Sequence, residues 1–358
     1  MNAVSSEVAG AVRDAAQGAF RDLPASAYHL SPTEIWTRFA NAELISAVLP
    51  ERQGGAGLAH SLEVLCALFD EAGKVLAHRP LWSGLALGLI PLAEHFEPHI
   101  IRHSTSLQGK GRALTVGAFT EGSNASWTPT TTLNTDELTL TGAKSFVWDA
   151  RDADQLLVSA RTSNGGVALV HIPTARDGVA LVPFTATDER PVFAVSFDAV
   201  QVEPQEWVAL ESGQADIVAI RRRAEILLAS ALVGAATTAL ELTVSHVRER
   251  HQFGRAIGSF QAVAMRAADA WIQLEVARAS IGHAVTVPRT SVLADAAAVV
   301  WSLRAASFTI DAAHHLHGGV GVGLDYPLWM FTRVCRQLEL TLGSEARHLL
   351  RAQSALAD

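Results

Sequence analysis

Cysteine is scarce in this chain: Cys66 and Cys335 are the only two in 358 residues. They lie far apart and belong to no metal-ligand spacing, so no metal site is expected. A disulfide between them is possible on paper, but a reduced, cytoplasmic chain is the better reading. Charge is scarce as well. Charged residues make up 18% of the sequence and the net charge is −8. With no long Lys/Arg run, that argues against binding a nucleic-acid backbone. Also missing is an uncharged apolar run of the roughly 18 residues that span a bilayer. The opening stretch, Met1 to Ala19, is mixed and polar rather than basic then apolar, so it does not read as a signal segment. There is no internal repeat and no low-complexity tract. What the chain has in quantity is hydrophobic residues, 49% of the total. That is enough for a large core, and at about 100–200 residues per domain the length implies two or three domains.

Three textures follow one another. Residues 1–110 read as a helical domain. Ser31-Pro32-Thr33-Glu34 forms a capping box with proline at the first helical position, and Ile35, Phe39 and Ala42 then recur on one face. Pro50 to Gly57 is a glycine-rich break. Helical patterns resume over Ser61–Ala72 and Ser83–His95, where Pro91 is expected to kink or end the segment. Residues 111–210 switch to short strand-like runs, at Leu138–Thr141, Gln155–Ala160, Val167–Ile172, Val179–Val182 and Val192–Phe197. Turn residues separate these runs and no helix intervenes, which predicts a β-barrel or sandwich. Residues 211–358 read as long helices broken near Gly254–Gly258, Pro288 and Gly318–Gly323, an antiparallel four-helix bundle. Segregated elements define an α+β class and exclude an alternating Rossmann design.

Four motifs sit on these textures in order. They are Pro50-Glu51-Arg52-Gln53-Gly54-Gly55-Ala56-Gly57, Leu140-Thr141-Gly142-Ala143-Lys144, the run from Arg248 through Arg250, Phe253 and Gly254 to Phe260-Gln261, and His317-Gly318-Gly319-Val320-Gly321 followed by Asp325-Tyr326-Pro327. Together they resemble the P-E-x-x-G-G, G-x-K, R-x-Q-F-G…F-Q and G-G-x-G…E-Y-P segments of the acyl-CoA dehydrogenase family, across nearly the whole chain. The resemblance implies the family's fold, bound FAD, an acyl-CoA substrate and an electron-transferring flavoprotein as acceptor. It assigns Arg250 to the FAD pyrophosphate through a guanidinium fork, and Phe253 to the adenine or flavin side. Gln261 follows on the next helix, and Gly318 and Gly319 let backbone approach the cofactor. In the family this set reaches FAD across a subunit boundary, so a homologous chain completes the site, in an α2β2 assembly or a homotetramer. The resemblance also places Thr120 of Thr120-Glu121, with Phe146 and Trp148, beside the flavin. Arginines at a solvated helix end, core phenylalanines and glycine helix terminators are the plain alternatives for the same residues.

Two departures concern chemistry. Trp148 stands where the family offers a hydroxyl near flavin N5; an indole has none, which leaves that role to backbone donors, and an aromatic pair with Phe146 on one strand face is the plain alternative. The commonest position of the catalytic glutamate, aligned without gaps from Arg333, is Leu342; the alternative position, on the first bundle helix, is Ala224. Removing a proton next to a thioester needs a carboxylate in a dry pocket. Glu225 is the remaining candidate. Yet one residue along a helix turns a side chain by about 100°, and a salt bridge to Arg221 or Arg222 is the competing role. Glu339 and Glu345 are expected to point elsewhere. The Arg221-Arg222-Arg223 triplet is a CoA-phosphate site, a subunit contact or a solvated cluster. A short chain lacking the base resembles one subunit of the heterotetrameric enzymes that degrade steroid-CoA thioesters. A flavin-dependent monooxygenase or oxidase on the same fold, and a non-catalytic scaffold subunit, are the alternatives.

Overall fold

The structure is a computed structural model that describes residues 3–23, 26–287 and 291–357; the expected break at Pro288 lies outside the described residues. Helices α1 (Ala3–Ala19), α2 (Pro32–Asn41), α3 (Leu44–Val48), α4 (Leu62–Lys74), α5 (Ile90–His95) and α6 (Pro98–Gly109) come first. The α2 capping box forms as the sequence predicts. Ser31 Oγ accepts from the Glu34 amide at 3.2 Å, and the Glu34 carboxylate accepts from the Ser31 amide at 2.8 Å. Ile35, Trp36 and Phe39 are buried on its inner face.

Pro91 does not end its segment. Residues Leu81–Leu89 form a π-helix that runs directly into α5. The Ile90 amide bonds five residues back, to Leu85, and the widened turn leaves Pro91 in the first turn of α5, where its missing N–H is tolerated. This stretch is buried along its whole length and carries Trp82 and Ser83 toward the sheet.

The middle of the chain forms one eight-stranded sheet. Its strands are β1 (Thr115–Ala118), β2 (Thr132–Asn134), β3 (Thr139–Trp148), β4 (Gln155–Thr162), β5 (Val167–Pro173), β6 (Val179–Thr185), β7 (Pro191–Gln201) and β8 (Trp207–Ala209). The order is β6-β7-β3-β2-β4-β5-β8, with β1 parallel to β4. Each strand run expected from the sequence is a strand here. Strand β3 bulges against β7 between Lys144 and Val147, where Phe146 takes a φ of 56°. Such a bulge re-aims the side chains that follow it.

A buried ion pair anchors this region. Lys144 Nζ reaches Glu121 and, at 3.0 Å, Ser159 Oγ. Glu121 also accepts from the Thr130 and Thr131 amides at 2.7 and 3.0 Å. Burial pushes the Glu121 carboxyl up, but Lys144 and the hydroxyl and amide donors outweigh it and hold it at about 2. The pair fixes the 120–131 loop to the sheet.

The last part of the chain is helical: α7 (Gln214–Glu249), the β9–β10 hairpin (His251–Gln252, Arg255–Ala256), α8 (Gln261–Thr286), α9 (Val292–His317), α10 (Leu328–Leu342) and α11 (Glu345–Ala357). α4 crosses α7 at two glycines. A Cβ on Gly73 would lie 2.0 Å from the Ala231 carbonyl oxygen, and one on Gly234 would lie 2.0 Å from that of Asp70. By length and composition α7 and the stretch Val292–Val322 are apolar enough to cross a membrane, although charged residues interrupt both. In the fold 78% of the α7 window and 61% of the other are buried inside the protein, so this apolar length serves core packing. Cys66 and Cys335 are both buried and free.

Replacing Glu121 by alanine strands Lys144 in the core, and we expect a loss of about 3 kcal/mol in urea unfolding at pH 7. The folded pKa lies below the ordinary value of 4.5, so the carboxylate's contribution is present above pH 4.5 and is lost as pH falls toward about 2. The gap between variant and wild type should close over that window.

Candidate functional site

A cavity of about 460 Å³ lies between the sheet and the helical bundle. One wall comes from β3, β6 and the 120–127 loop, the other from α7, α10 and the α10–α11 turn. Five aromatic rings line it: Trp82, Trp127, Phe146, Trp148 and Phe184. Thr120 lines it too, so the three residues expected beside a flavin share one wall. Two of them are already engaged. The Thr120 hydroxyl donates to the Ser145 carbonyl. Trp148 is only 2% exposed. Its ring meets Trp82 at 4.6 Å, His78 at 6.1 Å and the Arg79 guanidinium at 5.1 Å. Arg79 in turn lies 3.3 Å from Asp149, which accepts from Ser83 Oγ at 2.6 Å. The indole is held from behind by a buried charged network, and no hydroxyl stands in its place.

At the helical end Leu342 lines the cavity and offers no proton acceptor. Ala224 is sealed from solvent, its carbonyl accepting from Trp82 Nε1 at 3.2 Å. Glu225 does reach the cavity. Both its oxygens, however, are taken by Arg351, at 3.1 and 3.0 Å. Arg221 stands 3.9 Å away and Arg222 is not a partner. Arg351 also meets His348 Nδ1, and His348 Nε2 donates to the Leu342 carbonyl at 2.8 Å. That arrangement assigns the neutral Nε2–H tautomer to His348, and burial lowers its pKa. Glu339, expected as a solvated charge, is half-buried on Arg336 at 2.8 Å, and burial raises its carboxyl. Glu345 pairs with Arg304 at 2.8 Å. Neither lines the cavity.

The arginine triplet is not one patch. Arg222 binds Asp295 at 2.7 Å, Arg223 binds Glu94 at 2.6 and 2.9 Å, and Arg221 faces Glu225. These internal pairs leave no common cationic face for CoA phosphates. The residues that the sequence did not single out are Arg347, His348 and Arg351. Their signal was the i, i+4 spacing of Arg347 and Arg351 on one helix.

The remaining predicted residues lie on an outward face. Arg250 caps the end of α7, exposed, with no side-chain partner among the described residues. Phe253 sits at the tip of the β9–β10 hairpin, 92% exposed, with a φ of 53° that non-glycine residues seldom adopt. Gln261 opens α8 on the same hairpin's far side and is exposed. Gly318, with a φ of 59°, ends α9; neither it nor Gly319 has an atom within 4 Å of where a Cβ would lie. Stacked imidazoles join the two turns. His246, four residues before Arg250, lies 4.5 Å from His317, the residue before Gly318. Tyr326 packs on His317 at 4.8 Å and its hydroxyl donates to the Leu242 carbonyl at 3.2 Å. A guanidinium, an exposed ring that meets Phe260 edge-on at 6.1 Å, and bare backbone thus share one face of the chain.

This order of helices, sheet and helices is that of the acyl-CoA dehydrogenases among solved structures. A variant of the steroid ACAD Tcur3481-Tcur3483 is 29% identical, covers 99% of this chain and is itself 97% covered, at a TM-score of 0.83. The ChsE4-ChsE5 complex from Mycobacterium tuberculosis shares the fold at 24% identity, 100% and 98% coverage and a TM-score of 0.85. Among curated proteins, the acyl-CoA dehydrogenase FadE27 of Mycobacterium tuberculosis is 29% identical over 91% of this chain and 88% of its own length. Residues 222–357 match the acyl-CoA dehydrogenase C-terminal domain. Residues 222–357 thus carry an acyl-CoA dehydrogenase C-terminal domain, and the chain as a whole is similar in sequence and fold to acyl-CoA dehydrogenases.

Because Arg250 and Phe253 have no internal partners of consequence, we expect Arg250→Ala and Phe253→Ala to change the chain's unfolding free energy by no more than about 0.5 kcal/mol in urea titrations.

Proposed function

We propose that this chain is the subunit without a catalytic base in a heteromeric FAD-dependent acyl-CoA dehydrogenase. In this reading a homologous sister chain supplies the carboxylate that takes the proton next to the thioester. The observation that carries the reading is the mismatch between its two faces. The cavity has Leu342 at the usual base position, and its one acid is locked onto Arg351. The outward face has an exposed guanidinium, an exposed ring and two glycines with nothing against them.

The residues of that face fit a dinucleotide. Arg250 holds the pyrophosphate, Phe253 packs on the adenine side, and Gln261 adds a polar contact. Gly318 and Gly319 allow backbone to come close. FAD, when bound, supplies the hydride acceptor for the dehydrogenation. In the cavity wall the Thr120 hydroxyl is taken by the Ser145 carbonyl and the Trp148 indole is held by Trp82 and Arg79, so neither offers a free hydroxyl to a flavin. In this reading the ring lies on the sister chain, and this chain completes the site from outside. Other exposed apolar side chains support a partner: Val322 and Leu324 near the glycine turn, and Met265, Trp271 and Ile272 on α8.

We read residues 1–110, 111–210 and 211–358 as the three domains of a cytoplasmic protein. An electron-transferring flavoprotein takes the electrons. The solved relative described as a steroid ACAD supports a bulky acyl-CoA as substrate.

Co-expression with a homologous sister tests this reading. The pair should hold flavin and reduce an artificial acceptor with acyl-CoA, while this chain alone does neither. Arg250→Ala should weaken flavin retention by the pair at least about tenfold, the loss of one charge-assisted contact. Glu225→Gln should leave turnover of the pair within about threefold, whereas loss of a true base costs about 10²–10⁴. Full turnover by this chain alone overturns the proposal.

A further inference from the structure

One charged group in the cavity has no role in the reaction as read above. Arg347 lines the cavity from the first turn of α11, half-buried. Its side chain folds back over Gly343, where a Cβ would lie 3.5 Å from both Cδ and Nη1 of Arg347. The guanidinium thus stands at the turn that follows Leu342. Among the described residues it has no ion pair and no hydrogen bond. The acid nearby does not neutralise it, because Arg351 binds both oxygens of Glu225 and Arg221 stands behind that pair. This end of the cavity therefore carries an excess positive charge. The rest of the wall is five aromatic rings with Val192, Leu228, Leu340 and Leu342, interspersed with neutral hydroxyls and the side-chain amides of Asn124 and Gln337.

An apolar chamber of this size with one convergent charge is how a small-molecule site is built. The charge selects the ligand. An apolar molecule that fills the chamber excludes water from Arg347, and an arginine desolvated without an anion is costly. A carboxylate offers the planar, two-pronged acceptor that matches the guanidinium fork. A neutral ester or alcohol does not.

We propose that this cavity is a non-redox binding site for an apolar monocarboxylate. The hydrocarbon body lies among the tryptophan and phenylalanine rings, and the carboxylate lies on Arg347. No bond is made or broken. The site does not depend on the assignment of the outward face, since neither flavin nor turnover enters its test.

Trp82, Trp127 and Trp148 line the chamber, so a bound ligand reports itself in intrinsic fluorescence. The full 358-residue chain is titrated with dodecanoate, with a fused-ring carboxylate of the bile-acid type, and with the methyl ester of each. At least one acid should shift the emission saturably and bind at least about tenfold tighter than its ester, the value of one charge-assisted contact. The acid that wins tells whether the chamber takes open-chain or polycyclic hydrocarbon. Arg347→Gln should weaken that acid about tenfold and its ester by no more than twofold. Leu228→Trp, which fills the chamber, should abolish binding of both, with thermal unfolding confirming that each variant is folded. Equal affinity for acid and ester, indifference to Arg347→Gln, or no saturable signal with either acid overturns the proposal.

Discussion

The grip of Arg351 on Glu225 decides what the cavity can do. Removing a proton from carbon requires a carboxylate that is free to accept it. Among the described residues, the only acid that reaches the cavity has both oxygens occupied. The grip is itself supported, since His348 takes Arg351 at one nitrogen and donates from the other to the Leu342 carbonyl. Four residues from three helices form one connected unit, and the residue at the usual base position contributes only its backbone. The cavity that would be a reaction chamber in a base-bearing relative is here an apolar compartment with a positive end.

The opposite face of the chain follows a different rule. There the side chains gain little from their own fold. Phe253 holds a left-handed backbone conformation at the tip of a hairpin with its ring in water, and Arg250 has no counter-charge among the described residues. Strain and exposure of this kind persist where something outside the chain compensates for them. What the fold does contribute is alignment. The stack of His246 on His317 ties the end of α7 to the end of α9, so the arginine turn and the glycine turn, far apart in sequence, stand together. The two faces differ: one holds an acid engaged by arginine, the other presents exposed side chains.

Much of this was legible in the sequence where the determinants are local. The capping box at Ser31 and the strand runs of the sheet depend on residues a few positions apart, and they form as read. The outward-facing residues were legible because they fall in short motifs. The cavity end was not. Glu225 and Arg351 are 126 residues apart; local spacing pointed to Arg221, which does pair with Glu225 at 3.9 Å, and to Arg222, which pairs with Asp295 instead. The arginine triplet misled for a geometric reason. Consecutive helical residues diverge by about 100°, so its three members find Glu225, Asp295 and Glu94 on separate neighbours. Pro91 misled because a proline was weighed against an α-helix, while the chain adopts a π-helix before it. Trp148 could be seen to lack a hydroxyl, but the Arg79–Asp149–Ser83 network that fixes it joins distant segments.

A structure of this chain bound to its sister, solved with FAD, tests the central claim most directly. The account predicts the adenine and pyrophosphate against Phe253 and Arg250 of this chain, with the flavin ring and a free carboxylate in the sister's pocket. A flavin ring seated against Trp148 in this chain's own cavity, with Glu225 released from Arg351 and turned toward it, would contradict the account.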